Sequence, residues 1–110
     1  MGIDKIEKIA EKGNASKLVR YTNSRDAAER LAAVTGMGKC KITEEAYNAL
    51  IDTLRDPEVS VRVGAVQALQ AQNQKNALEH IRHAFNDQSD PKLIAACKEA
   101  AAALADIHSV

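Results

Sequence analysis

The feature that most constrains the fold of this 110-residue chain is a pair of widely spaced Asp-Pro dipeptides. They contain the only two prolines, Pro57 and Pro91, and each proline directly follows an aspartate. Proline is tolerated in the first turn of a helix, and a preceding aspartate can cap the free backbone amides there. Apolar residues recur at helical spacing before and after both dipeptides. The pattern therefore predicts two helix–turn–helix units.

A third unit precedes these two. The segment Arg30–Met37 aligns without gaps with Arg62–Leu69, and its turn offers Ser24 as a cap instead of a proline. A short amphipathic segment in front of it ends at Gly13, and Thr43 marks the start of a later helix. No segment alternates with the period of a strand. Seven helices are predicted, over residues 3–12, 15–22, 25–35, 44–55, 58–71, 76–86 and 91–107.

The composition suits closely packed helices. Twenty residues are alanine and only three are aromatic, so the core must be built from small side chains. This favours helix-on-helix packing over a sandwich or barrel. We expect the helices that start near 25, 58 and 91 to form one layer, and those near 15, 44 and 76 to form the other. The predicted core is the apolar set Ile6, Ile9, Leu18, Leu31, Val34, Leu50, Leu54, Val61, Ala65, Leu69, Leu78, Ile81, Phe85, Leu93, Leu104 and Ile107.

The stretch 56–69 resembles a HEAT repeat: an Asp-Pro turn, then a helix with Val-Arg, small residues and a leucine. The first unit keeps Arg30 of this pattern without a proline, and the third keeps the Asp-Pro turn with Cys97 at the arginine position. The resemblance implies an all-α fold. Its form would be an α-α superhelix of about three HEAT-like helical hairpins, over approximately 14–38, 43–72 and 75–107, plus an N-terminal capping helix, in a single domain spanning 1–110.

HEAT-like repeats serve as scaffolds in unrelated systems, so the resemblance implies a non-catalytic interaction module rather than an enzyme. In the family, the second helix of each pair lines the concave side. Repeat stacks offer extended surface rather than a deep pocket, so a protein or peptide is the expected partner. The partner-binding residues predicted on that side are polar and outward: Arg25, Glu29, Gln67, Gln70, Lys98 and Glu99.

Arg62 has two interpretations. As a structural clamp it would reach Asp56 or the carbonyl groups at the end of the preceding helix, so that Asp56, Pro57 and Arg62 fix the turn together. Alternatively, its guanidinium contacts a ligand. We favour the clamp.

His80 and His83 stand three apart on a predicted helix beside Glu79, so both imidazoles could share a face. No third metal ligand is evident at this spacing, and solvated histidines are the favoured interpretation. Some HEAT-like proteins similar to deoxyhypusine hydroxylase bind iron through His-Glu pairs, and this chain contains no His-Glu dipeptide. The sequence therefore predicts no metal and no cofactor.

The cysteines show no metal-binding or catalytic spacing. Cys40 lies between two lysines in a glycine-containing loop, so we expect it to be the more exposed thiol, with some thiolate character. Cys97 lies in an apolar stripe and is expected in the core. Two such cysteines do not form a secreted-type framework, which favours a cytoplasmic location. With no Ser/His/Asp set and no phosphate-binding glycine loop, no catalytic residue is predicted.

Charge balances overall at 15 basic and 15 acidic residues, but residues 1–41 carry a net charge of +4 and residues 42–110 a net charge of −4. The alternative function is therefore nucleic-acid binding by the basic N-terminal third, although the overall balance does not favour it. Its candidates are Lys17, Arg20, Arg25, Arg30, Lys39 and Lys41.

A second alternative is an accessory or lyase-like protein, because some chromophore lyases resemble HEAT stacks. The last predicted helix presents several alanines on its outer side, which leaves a homodimer through this helix open. No apolar run is long enough for a membrane span, so no membrane partner is expected. The identity of the partner, and whether the chain belongs to a longer repeat array, stay open.

Overall fold

The computed structural model describes residues 2–86 and 90–105, and the elements in these ranges are all helical. They are α1 (Gly2–Glu11), α2 (Ala15–Leu18), α3 (Ala27–Met37), α4 (Glu44–Thr53), α5 (Val59–Ala71), α6 (Leu78–Asn86) and α7 (Pro91–Ala105). A 3₁₀ segment, Val19–Asn23, continues α2, and another, Lys75–Ala77, leads into α6. The described residues contain no strand, which confirms the all-α prediction.

Short polar side chains start several of these helices. The Asp26 carboxylate accepts from the Ala28 amide at 2.9 Å at the start of α3, and the Thr43 hydroxyl accepts from the Ala46 amide at 3.1 Å at the start of α4. Asp90 accepts from the Lys92 amide at 2.9 Å, with Pro91 as the first residue of α7. These contacts satisfy amides that have no partner within the first turn of a helix.

The helices pack in two layers. Layer one consists of α2, α4 and α6, and layer two consists of α1, α3, α5 and α7. Within layer two, α3 packs between α1 and α5, and α7 packs on the other side of α5. This is the predicted arrangement, with α1 covering one end of the stack as a further member of the second layer.

The structural repeat is 32 residues long (59 − 27), whereas the two prolines are 34 residues apart (91 − 57). Helices α3, α5 and α7 begin at residues 27, 59 and 91, so their starts are evenly spaced. Pro91 lies inside α7, whereas Pro57 precedes α5, with Glu58 as the cap residue between them. The predicted start of this helix at residue 58 is within one residue of the observed start, and the two prolines hold different positions of the repeat. At the spacing of the helix starts, the position on α7 equivalent to Arg30 and Arg62 is held by Ile94, not by Cys97.

Small side chains that recur at the spacing of the helix starts let the helices of layer two approach each other closely. Two buried rows run across α3, α5 and α7, formed by Ala33, Ala65 and Cys97, and by Gly36, Ala68 and Ala100. A Cβ atom on Gly36 would lie 2.9 Å from the Cβ atom of Ala10, closer than such atoms pack. The glycine is therefore what allows α1 to lie directly against α3.

The predicted core is largely confirmed. Twelve of its sixteen residues are buried: Ile6, Ile9, Leu18, Val34, Leu50, Leu54, Val61, Ala65, Leu69, Ile81, Leu93 and Leu104. Leu31, Leu78 and Phe85 are only half-buried, and Ile107 lies outside the described residues. Met37 and Val66 are fully buried although neither was predicted. Met37 was missed because α3 continues beyond its predicted end at residue 35.

Candidate interaction surface

Layer two carries a hollow of about 700 Å³ between α1 and α3. Its lining is mainly apolar or small, from Ile3, Ala10, Ala28, Leu31, Ala32, Thr35 and Gly36. Three charged residues, Glu7, Glu11 and Lys39, complete it. At 37% exposure, Ile3 is a large apolar side chain open to solvent.

A second hollow, of about 650 Å³, adjoins the first between α3, α5 and the start of α7. Leu31 lines both hollows. The remaining lining of the second consists of Val59, Ser60, Val63, Gly64, Gln67, Asp90, Pro91 and Lys92. We call the two hollows together the layer-two groove.

The helical repeat produces this groove. Leu31 and Val63 lie at the same position of successive helices and both face the groove. A Cβ atom on Gly64 would lie 2.7 Å from the Cδ1 atom of Leu31, so the glycine lets the leucine lie against α5. The alignment of Arg30–Met37 with Arg62–Leu69 already pairs Leu31 with Val63 in the sequence. Leu31 was assigned to the core instead, because helical spacing alone does not separate core from groove.

The predicted partner-binding residues lie at different places on the molecule. Gln67, which is exposed, is the one of the six that lines the groove. Glu99, which occupies the equivalent position one repeat later, is exposed on α7. Arg25 is exposed in the turn before α3, and Gln70 is half-buried on α5.

The other two predicted partner-binding residues, Glu29 and Lys98, contact neighbouring parts of the fold. The Ser24 hydroxyl donates to the Glu29 carboxylate at 2.6 Å. The ammonium group of Lys98 lies 5.9 Å from the ring centre of Phe85 on α6. The structure therefore does not bring the six residues into one cluster, and their role in binding stays a prediction.

The turn between α4 and α5 is built around a buried ion pair. Arg30 donates from Nε and Nη2 to the two carboxylate oxygens of Asp56, at 2.8 and 3.1 Å. Asp56 also accepts from the Glu58 amide at 2.9 Å, and Arg30 donates to the Ser24 carbonyl at 2.9 Å. The hydrogen bond to Asp56 is the main reason that the pKa of Arg30 is raised. The pair joins α3 to the turn of the following unit.

Arg62 contacts the same turn from the other side. Its Nη1 atom donates to the backbone carbonyl of Asp56 at 2.7 Å, and Arg30 donates in the same way to the carbonyl of Ser24. The Asp56 carboxylate itself pairs with Arg30. Sequence reasoning missed this use of Arg30, although the alignment with Arg62 marked the two arginines as equivalent. The stabilising role of Arg62 stays a prediction.

We expect Arg62→Ala to lower the free energy of unfolding by about 1–3 kcal/mol, because the Asp56 carbonyl loses a charge-assisted hydrogen bond in a half-buried position. Chemical denaturation followed by circular dichroism measures the change. Arg25→Ala, which removes an exposed arginine before α3, is the matched control and should change little. An unchanged midpoint for Arg62→Ala would show that Arg62 is not a structural clamp.

The cysteine expectations were half right. Cys97 is buried in α7 as predicted, and burial raises the pKa of its thiol. The prediction for Cys40 is wrong, because it is 5% exposed and burial raises its pKa as well. The reason is a long-range contact: the Gln72 side-chain amide donates to the carbonyls of Met37 and Cys40, which ties this loop against α5. A raised pKa disfavours the thiolate at neutral pH, so the geometry opposes a reactive Cys40.

The two histidines are exposed on α6 and line one hollow between α4, α5 and α6, so they share a face as predicted. Within residues 2–86 and 90–105, no group of three or more His, Cys, Asp or Glu side chains is placed to hold a metal ion. Two of the basic candidates for nucleic-acid binding have partners within the fold. Arg30 is engaged by Asp56, and Arg20 lies over the Tyr21 ring at 5.5 Å.

Helix α7 exposes Ala95, Ala102 and Ala103, and self-association through it stays a prediction.

None of the helices in the described part of the chain has both the length and the apolar character that crossing a membrane requires. A model of the HEAT repeats matches residues 15–107. The chain therefore belongs to the HEAT repeat family, whose members generally mediate protein–protein interaction and are typically non-enzymatic scaffolds. Neither the curated proteins nor the solved structures give a significant match to it.

Proposed function

We propose that this chain is a non-catalytic protein-binding module that takes a segment of a partner protein in the layer-two groove. The observation that carries the proposal is the groove itself, an apolar path that crosses α1, α3, α5 and the start of α7. Its two hollows are shallow and adjoining, which suits an elongated ligand better than a compact metabolite.

The lining indicates what kind of segment fits. Apolar contacts come from Ile3, Leu31 and Val63, which lie on three successive helices of the layer. An amphipathic helix that projects an apolar side chain every three or four residues can place one in each hollow, on either side of Leu31. Glu7 and Glu11 outnumber Lys39 at the α1 end, whereas Asp90 and Lys92 balance each other at the α7 end. Charge complementarity therefore favours a segment that is basic over α1.

Two features support this proposal over nucleic-acid binding. Arg30, one of the six basic candidates, has its guanidinium occupied by Asp56 and the Ser24 carbonyl. The lining of the groove is mainly uncharged, whereas a nucleic-acid surface places cations along the backbone path. A location in the cytoplasm is part of the proposal, supported by two cysteines that are free and buried.

Site-specific photo-crosslinking tests the proposal. A photoreactive residue at Gln67, in the groove, should capture one protein from the native cell extract, which mass spectrometry identifies. The same residue at Glu79, exposed on α6 in layer one, is the matched control and should not capture it. The identified protein is then purified and its affinity measured with variants whose fold is checked by circular dichroism.

We expect Val63→Lys to weaken this affinity at least about tenfold, because a charged group that must be desolvated on binding replaces an apolar contact in the groove. The triple variant Gln67→Ala, Gln70→Ala, Lys98→Ala tests the polar residues nominated from the sequence. Equal crosslinking from Gln67 and Glu79, or unchanged affinity in Val63→Lys, would show that the groove is not the binding site.

A further inference from the structure

A hollow between the two layers differs in character from the layer-two groove. It has a volume of about 640 Å³ and lies between the end of α4, α5 and α6. Four basic side chains line it: Arg55, Arg62, His80 and His83. Asp52 is the one acidic side chain that the described residues contribute, and Ile51, Leu54 and Ala84 form an apolar part of the wall.

The local structure directs these groups to one place. His80 and His83 are three residues apart, which puts both imidazoles on the same side of α6. Arg55 follows the last turn of α4, and Arg62 enters from α5, where its hydrogen bond to the Asp56 carbonyl at 2.7 Å fixes the guanidinium. The other charged residues of α6, Glu79 and Arg82, pair with each other at 3.1 Å and do not line the hollow.

We propose that this hollow binds the phosphate group of an organic phosphate monoester. Guanidinium groups present N–H donors in a planar fork that matches phosphate oxygens, and imidazole adds further N–H donors. A phosphate monoester carries a charge of about −1.5 to −2 at neutral pH and three acceptor oxygens, so it can use several cationic donors at once. A carboxylate, with one charge and two oxygens, uses fewer of them.

The remaining lining explains why the ligand is an ester rather than the bare anion. The hollow is much larger than a phosphate ion, and its apolar wall from Ile51, Leu54 and Ala84 is suited to a carbon-bearing group. A metal cation does not fit the same residues. Two guanidinium groups repel a cation, and the residues described include no cluster of three metal ligands.

The ester group could belong to a small molecule or to a phosphorylated side chain, and the titration distinguishes these sources. We suggest following the amide resonances of the ¹⁵N-labelled full chain with phenyl phosphate, inorganic phosphate, benzoate, and a short peptide with and without phosphoserine. Phenyl phosphate should saturate at one equivalent, perturb amides near Arg55 and His80, and bind more tightly than inorganic phosphate or benzoate. Tighter binding of the phosphopeptide than of phenyl phosphate indicates a protein source, and the reverse order indicates a small-molecule source.

Charge variants complete the test. Arg55→Gln should weaken phenyl phosphate binding by about tenfold, the loss of one charge-assisted contact, whereas Arg55→Lys should lose less because it keeps the charge. Arg82→Gln is the matched control: it removes one positive charge from α6 outside the hollow and should bind as wild type. Circular dichroism confirms that each variant is folded.

Three results would overturn the proposal: no saturable binding of any phosphate probe, benzoate binding as tightly as phenyl phosphate, or unchanged binding in both Arg55→Gln and the double variant His80→Gln, His83→Gln. Val63→Lys in the layer-two groove should leave phosphate binding unchanged, because no residue lines both this hollow and the groove. A failure of the phosphate-binding proposal can therefore be told apart from a failure of the protein-binding proposal.

Discussion

Replacing Asp56 with alanine is expected to lower the free energy of unfolding by about 3 kcal/mol, the loss that follows when one partner of a buried ion pair is removed. The Asp56 side chain is 6% exposed and accepts two hydrogen bonds from Arg30 and one from the Glu58 amide. The alanine variant leaves the Arg30 guanidinium without its counterion and the amide without its acceptor. Urea denaturation should show a lower midpoint with an unchanged slope.

Two further variants separate the causes. Asp56→Asn keeps an oxygen for the Glu58 amide while it loses the charge, so its effect should be smaller than that of alanine. Glu79→Gln breaks the exposed pair with Arg82, whose side chains are 68% and 55% exposed, and should cost less than about 1 kcal/mol. If Asp56→Ala is no more destabilising than Glu79→Gln, the buried pair does not hold the two units together.

Replacing Leu69 with alanine should also destabilise the fold by about 3 kcal/mol, within the range measured for leucine-to-alanine changes in protein cores. Leu69 is fully buried on α5, the helix that packs between α3 and α7 and against α4. Truncation removes apolar contacts and leaves a cavity that the surrounding helices fill only in part. Thermal and urea unfolding measure the loss.

The control for Leu69 is Ile3→Ala on α1. Ile3 is a large aliphatic side chain with 37% exposure, so its truncation should cost less than about 1 kcal/mol. Because Ile3 lines the layer-two groove, this variant should affect partner binding more than stability. A loss for Leu69→Ala as small as that for Ile3→Ala would mean that α5 is not at the centre of the cooperative core.

The sequence determined the helices and their order, because the signals that define a helix are local. Helical spacing of apolar residues and the caps Thr43 and Asp90 act within one or two turns, and the structure has both caps in use. The layer arrangement followed as well, since alternate helices of a repeat must bury equivalent faces. The register of the repeat did not follow from the prolines, because Pro57 lies before α5 whereas Pro91 is the first residue of α7.

The tertiary structure decided the contacts between residues distant in the chain. Arg30 of one unit meets Asp56 of the next, and Gln72 reaches back to the carbonyl of Met37, which buries Cys40 with the loop. Helical periodicity shows which face of a helix is apolar, but a core position and a groove position such as Leu31 have the same spacing. What separates them is how closely the neighbouring helices approach, and that distance is set by Gly36 and Gly64 against side chains on other helices.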